Sequence, residues 1–154
     1  MDEDDAREDF LLALRAWGAM FGEVGRHFAL QAGMHGTDAA ALVHIVNAEQ
    51  HGEPLTQAEL SRSVGLTTGA TSSLLNRLES AGHIERRRDR ADRRVVTLRS
   101  SPAVHEQVDR YFDGVADEIN RIVDEHRPDE LARFTALLAR ITDSTQRHLL
   151  DPDG

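Results

Sequence analysis

At 154 residues, with 40% hydrophobic and 29% charged side chains, the chain has the size and balance of one soluble globular domain with a substantial apolar core. The absence of cysteine excludes disulfides, zinc–thiolate sites and thiol chemistry, and no apolar run approaches the roughly 20 residues of a membrane span. The start, MDEDDAREDF, is acidic where a secretory leader would be basic and then apolar, so a cytoplasmic location is expected, and the net charge of −9 makes any basic region stand out.

Residues 1–9 read as an acidic tail. Beyond it Phe10, Leu14, Trp17, Phe21, Val24 and Phe28 recur at spacings of four and three, the stripe of a helix that packs side by side with another. Gly33 to Gly36 ends that helix. Thr37 or Asp38 is placed to cap the next, which carries Leu42, Val43, Ile45 and Val46 and stops near His51-Gly52. Thr56-Gln57-Ala58-Glu59 is a capping box and predicts a helix over 57–64, closed by Gly65. Thr67 or Thr68 then caps a helix running to Ala81, with Leu74, Leu75 and Leu78 on its buried face and Gly82 past its end. Residues 83–88 and 94–98 read as two short strands, and in the second Val96 and Leu98 alternate with Thr97 as in a half-buried strand. Ser101-Pro102 opens a long helix bearing Val104, Val108, Tyr111, Phe112, Val115 and Ile119. Pro128-Asp129-Glu130 opens a last one, lined by Leu131, Phe134, Leu137, Leu138 and Ile141.

Two short helices joined at a glycine and followed by an arginine-tipped hairpin are the grammar of a winged helix-turn-helix, which sets one helix and one hairpin against duplex DNA. Charge agrees: the window from Thr56 to Arg99 holds nine arginines against five acids, a basic island on an acidic chain. With no lysine present, every cationic phosphate contact would be a guanidinium fork.

Over nearly its whole length the chain resembles the MarR family of transcriptional regulators. The likeness is carried by LTQAELSRSVGLTTGATSSLLNRLESAGHIERR, by Asp92-Arg93-Arg94 matching the family's Asp-x-Arg wing signature, and by the two helices after the wing. Asn76 stands where the family often has an acid, and Leu98-Arg99-Ser100-Ser101-Pro102 replaces its usual Leu-Thr-x-x-Gly. The resemblance implies a mostly α fold, α+β only by the wing hairpin. Its parts would be an N-terminal dimerisation helix (10–36), a winged helix-turn-helix lobe (37–99) and C-terminal dimerisation helices (100–150). It implies a homodimer joined through Phe10, Leu14, Trp17, Phe21, Phe134, Leu138 and Ile141. The two reading heads of such a dimer would meet a pseudo-palindromic operator about 34 Å apart.

Groove contacts are expected from Thr67, Thr68, Gly69, Thr71, Ser72 and Ser73, with Arg77 as a phosphate or intramolecular clamp. None of the groove candidates is Arg, Asn or Gln, so direct base readout is expected to be modest and DNA shape to carry much of the specificity. By family match Arg94 would enter the minor groove, with Arg90 and Arg93 on flanking phosphates and Asp92 orienting an arginine. The family often holds a small aromatic or amphipathic ligand, for which Trp17, Phe21, His44 and Tyr111 are the candidate lining. Eight histidines raise a zinc-responsive alternative, best represented by His105 and Asp109 at i, i+4, and His44 and His51 lie seven apart on another helix. No tight His pair supports it, so no metal and no cofactor are expected. No Gly-x-Ser-x-Gly, phosphate loop or His-Glu-x-x-His is present, so an enzyme is not expected. A winged helix used for protein–protein contact is the remaining alternative.

Overall fold

The computed structural model describes residues 3–150, in the order α1 (Glu3–Ala32), α2 (Gly36–Gln50), α3 (Gln57–Val64), α4 (Thr68–Ser80), β1 (Ile84–Arg88), β2 (Val96–Ser100), α5 (Pro102–Val123) and α6 (Pro128–Leu150). This is the mostly α winged-helix architecture expected from the sequence. Among the described residues no helix is long and apolar enough to cross a membrane. The chain falls into two compact units, Met1–Ala40 and Ala41–Gly154.

In the first unit α1 begins at Glu3, so the segment read as an acidic tail is helical from there on, residues 1 and 2 lying outside the described ones. The physical reason is that Asp4 and Asp5 sit at the positive end of the helix, where carboxylates stabilise its unpaired amides. Helix α1 ends at Gly33, whose φ of 65° is the left-handed conformation that glycine adopts without penalty. The apolar stripe is graded: Phe28 is buried, Leu14 and Val24 are half-buried, and Phe10, Trp17 and Phe21 are exposed. Helix α2 starts at Gly36, which places Asp38 in its first turn rather than at the cap.

The core of the second unit is built from Leu42, Ile45 and Val46 of α2, Leu60 of α3, and Leu74, Leu75 and Leu78 of α4. Ile84, Leu98, Val104 and Val108 complete it. Helix α3 is fixed at both ends. The Thr56 hydroxyl accepts from the Glu59 amide at 3.3 Å, and the Glu59 carboxylate accepts from the Thr56 amide at 2.7 Å. At the other end Gly65 takes a φ of 65°, and a β-carbon there would come within 3.1 Å of Leu149 on α6.

Strands β1 and β2 pair antiparallel with Arg86 opposite Leu98 and Glu85 opposite Arg99. The second strand lies two residues later than the sequence suggested, because Arg94 and Val95 belong to the turn. Its expected alternation also fails: Thr97 and Leu98 are both buried while Val96 is exposed. The cause is a third backbone segment on the free edge of β2, where Thr56 bridges Thr97 and the Leu98 amide donates to the Leu55 carbonyl at 2.8 Å.

The capping box makes stability depend on pH. The Thr56 amide, and after it the Thr56 side chain, hold the Glu59 carboxyl below its ordinary value. A depressed carboxyl contributes stability fully above its unfolded pKa of about 4.3, and the contribution is lost as pH falls through the folded value. Glu59→Ala is therefore expected to lower stability at neutral pH and to flatten the acid limb of unfolding. Urea unfolding of both proteins between about pH 3 and pH 6 measures it, and parallel acid limbs would remove the capping role.

Candidate nucleic-acid interface

Helix α4 presents a short polar face. Thr67 caps it, its hydroxyl accepting from the Ala70 amide at 3.2 Å. Thr68, Gly69 and Ser73 are exposed, Ser72 is half-buried, and open space surrounds Gly69. Ala70, not singled out in the sequence, is exposed in the same stretch.

Thr71 does not belong with them. It is fully buried, donates to the Thr67 carbonyl at 2.9 Å and accepts from the Ser61 hydroxyl at 2.7 Å. Its placement among the groove contacts is corrected: the hydroxyl locks α3 to α4. Thr71→Val keeps the shape but leaves Ser61 with a buried donor, a loss of about 1–3 kcal/mol of folding stability. Chemical denaturation should show that loss with unchanged DNA affinity of the folded protein. Lost affinity at unchanged stability would return Thr71 to the DNA face.

The recognition helix and the wing are tied together by Arg86. It pairs with the Glu79 carboxylate and donates to the Asn76 amide oxygen at 3.0 Å. Asn76 thus keeps a hydrogen bond where an acid would have made an ion pair, and Glu79, one turn further, brings the charge. Arg87 pairs with Glu85 on its own strand. Both arginines are engaged locally. Arg77, exposed on α4, has interactions of its own within the chain.

The wing tip is organised by two aspartates. Asp89 accepts from the Ala91 amide at 2.7 Å and from the Asp92 amide at 3.1 Å, and these bonds, the Asp92 amide first, hold its carboxyl below the usual range. Asp92 accepts from the Arg94 amide at 3.0 Å, while the Val95 amide donates to the Asp92 carbonyl at 3.0 Å. That closes a four-residue turn with Arg93 and Arg94 at its two central positions. The Arg94 guanidinium lies 3.9 Å from Asp92, with its side chain 95% exposed. Arg88, Arg90 and Arg93 are exposed and have no side-chain partner among the described residues. The tip therefore carries Arg90, Arg93 and Arg94 on the turns that follow Arg88, the last residue of β1.

The other candidate residues are placed as follows. Trp17 and Phe21 stack on α1 with ring centroids 5.4 Å apart. His44 is exposed on α2, and Tyr111 packs edge-on against Phe112 at 5.0 Å on α5. On α6 Phe134 and Leu138 are exposed and Ile141 is half-buried. His105 lies 3.7 Å from Asp109 and 3.8 Å from Glu49, through opposite ring nitrogens. His51 hydrogen-bonds the Asn47 carbonyl through a ring nitrogen at 2.7 Å. Among the described residues no three His, Asp or Glu side chains are grouped to hold a metal ion.

Comparison with known proteins adds four findings. The model of the MarR family matches residues 32–95. YcgE of Bacillus subtilis strain 168, an HTH-type transcriptional regulator, is 28% identical over 96 residues, and the match spans 62% of this chain and 62% of that protein's length. S. aureus MepR in its DNA-binding conformation has the same fold, with a TM-score of 0.65 and 20% identity over 88% of this chain and 98% of that one. MepR bound to ethidium bromide superposes at 0.52, again at 20% identity, over 88% of this chain and 96% of that one.

Proposed function

We propose that the chain is a MarR-family transcriptional regulator, a homodimeric repressor that grips a pseudo-palindromic operator through α4 and the wing. The observation that carries this reading is the wing tip, where turns closed by Asp89 and Asp92 present Arg88, Arg90, Arg93 and Arg94 to solvent. Exposed guanidinium groups on an acidic protein are costly to concentrate unless a polyanion meets them. Arg94 takes the minor groove, Arg90 and Arg93 the flanking phosphates, and Thr67, Thr68, Gly69, Ser72 and Ser73 lie along the major groove, with Arg77 beside the phosphates.

Dimerisation is supported by apolar surface that has no cover within one chain. Phe10, Trp17 and Phe21 of α1 are all more than a third exposed, as are Phe134, Leu137 and Leu138 of α6, and an exposed cluster of large apolar side chains on a helix marks an interface. In the dimer a small aromatic or amphipathic molecule changes the spacing of the reading heads and releases the operator; Trp17 and Phe21 in the first unit and His44 and Tyr111 in the second are each candidate contacts. MepR with ethidium bound is a precedent within the fold.

Selection from a random duplex pool tests the reading. The expected winner is an inverted repeat with half-sites one helical turn apart, or about 10 base pairs, bound by a species of twice the chain mass in light scattering. Enrichment of a single unrepeated motif, or of none, contradicts it. Melting the protein with a panel of aromatic acids and cations tests the ligand: a shift in melting temperature together with weakened operator binding is expected, and neither effect would remove the ligand claim.

A further inference from the structure

Glu49 is poorly placed by local chemistry. It stands in the last turn of α2, where the helix dipole disfavours a carboxylate, and its side chain is only 13% exposed. The partners that hold it lie on other elements. Its carboxylate accepts from both the amide, at 3.0 Å, and the hydroxyl of Ser100, the last residue of β2 and 51 positions further along the chain. An Arg99 terminal nitrogen and a His105 ring nitrogen each lie 3.8 Å from it, the latter near the start of α5. The Ser100 hydroxyl, whose proton goes to Glu49, accepts in turn from the His105 ring at 3.1 Å. One carboxylate thus gathers the foot of β2 and the start of α5 onto the end of α2.

We propose that Glu49 is a positioning residue for DNA binding: by holding Ser100 it sets the angle at which the wing projects, and so where Arg94 arrives on the duplex. A buried ionic group is a weak source of stability, because desolvation offsets the attraction, but it fixes geometry, since a displaced partner leaves the charge unmatched. The wing has one other polar fastening of this kind, the Arg86 pair with Glu79, and that one ties the middle of β1 to α4. Glu49 does the same for the foot of β2. Leverage makes the foot matter. A strand rise of about 3.3 Å per residue puts the Arg94 backbone roughly 20 Å from Ser100, so a tilt of about 10° at the foot moves the tip by roughly 3 Å. A shift of that size separates a charge-assisted hydrogen bond from none. The effect on DNA rests on the DNA-binding reading, whereas the anchoring of the wing does not.

The test compares the full wild-type chain with Glu49→Gln, which keeps the shape but loses the charge and one acceptor, and with Ser100→Ala, which loses only the hydroxyl. Without DNA, residual dipolar couplings report the angle between the hairpin and α4. In both variants the couplings of residues 84–88 and 96–100 should change while those of residues 68–80 hold. With DNA, the duplex flanking the protein's own gene is titrated at a temperature where each variant is folded. Glu49→Gln should lose about fivefold in affinity, and the loss should shrink below about twofold in an Arg94→Ala background, where the arginine that the wing delivers is already gone. A merely structural glutamate would lower the melting temperature and leave that difference between backgrounds at zero. The proposal is overturned if the hairpin couplings keep their wild-type values, if affinity is unchanged, or if the loss is equal with and without Arg94. A wild-type chain that binds no duplex would overturn the DNA-binding reading and the positioning role together, and the couplings alone would then decide the anchoring. Should Glu49→Gln fail to fold, Ser100→Ala carries both measurements, with the same outcomes in the same directions.

Discussion

Replacing Arg94 with alanine is expected to weaken operator binding by about 1–3 kcal/mol, a roughly fivefold to 150-fold loss, without destabilising the protein. The structure separates these two effects. Arg94 holds no part of the core: its side chain is 95% exposed and its nearest carboxylate, Asp92, is 3.9 Å away, a separation at which a surface pair is worth little. Its backbone amide, not its guanidinium, closes the turn on Asp92, and alanine keeps that amide. If the guanidinium enters the minor groove, the loss should be greatest for operators with narrow A·T-rich minor grooves. Arg93→Ala should instead weaken all sequences alike and reduce the salt slope by about one unit. Asp92→Ala gives the sign that distinguishes two roles for the acid. Were Asp92 merely a like charge near phosphate, its removal would tighten binding; as the residue that shapes the turn, its removal should weaken it. Unaltered affinity and salt slope in Arg94→Ala would exclude the wing as a contact.

The largest stability loss is expected from Leu75→Ala. Leu75 is fully inaccessible, on the same face of α4 as Thr71, Leu74 and Leu78. Its truncation removes the transfer energy of the buried methyl groups and leaves a cavity, together about 2–5 kcal/mol. In a chain of this size each kcal/mol corresponds to about 2–4 °C in melting temperature, so calorimetry should find a fall of several degrees at least. Leu75 is on the recognition helix yet faces away from its polar surface, so DNA affinity at a temperature where the variant is folded should be nearly unaffected. A fall of less than 1 °C would mean that α4 is not seated in the core as described.

Much of this was legible in the sequence because it is written in local chemistry. Thr56 and Glu59 form the capping box they spell, Gly65 and Gly82 take positive φ where the helices end, and Pro102 begins α5 after its Ser101 cap. Asp92, expected to orient an arginine, accepts from the Arg94 amide. What was not legible depends on partners distant in sequence. A threonine one turn into a recognition helix can face groove or core, and only Ser61, ten residues earlier, decides that Thr71 faces the core. The burial of Thr97 needed the edge contact from Thr56, far earlier in the chain. Glu79 reaching Arg86 likewise needs the angle between α4 and β1. Asp89 carries a local signal of its own: an aspartate at a strand end, followed by a polar loop, is a turn former.

On the proposed function, α4 and the wing form a sequence-selective duplex-binding surface. Fluorescence anisotropy with the DNA flanking the protein's own gene, repeated across salt concentrations and with unrelated competitor, tests it most directly. Saturable binding that survives competitor is predicted, with log affinity falling steeply and linearly with log salt, by about 0.9 for each phosphate neutralised. Binding erased equally by any duplex, or indifferent to salt, would contradict it.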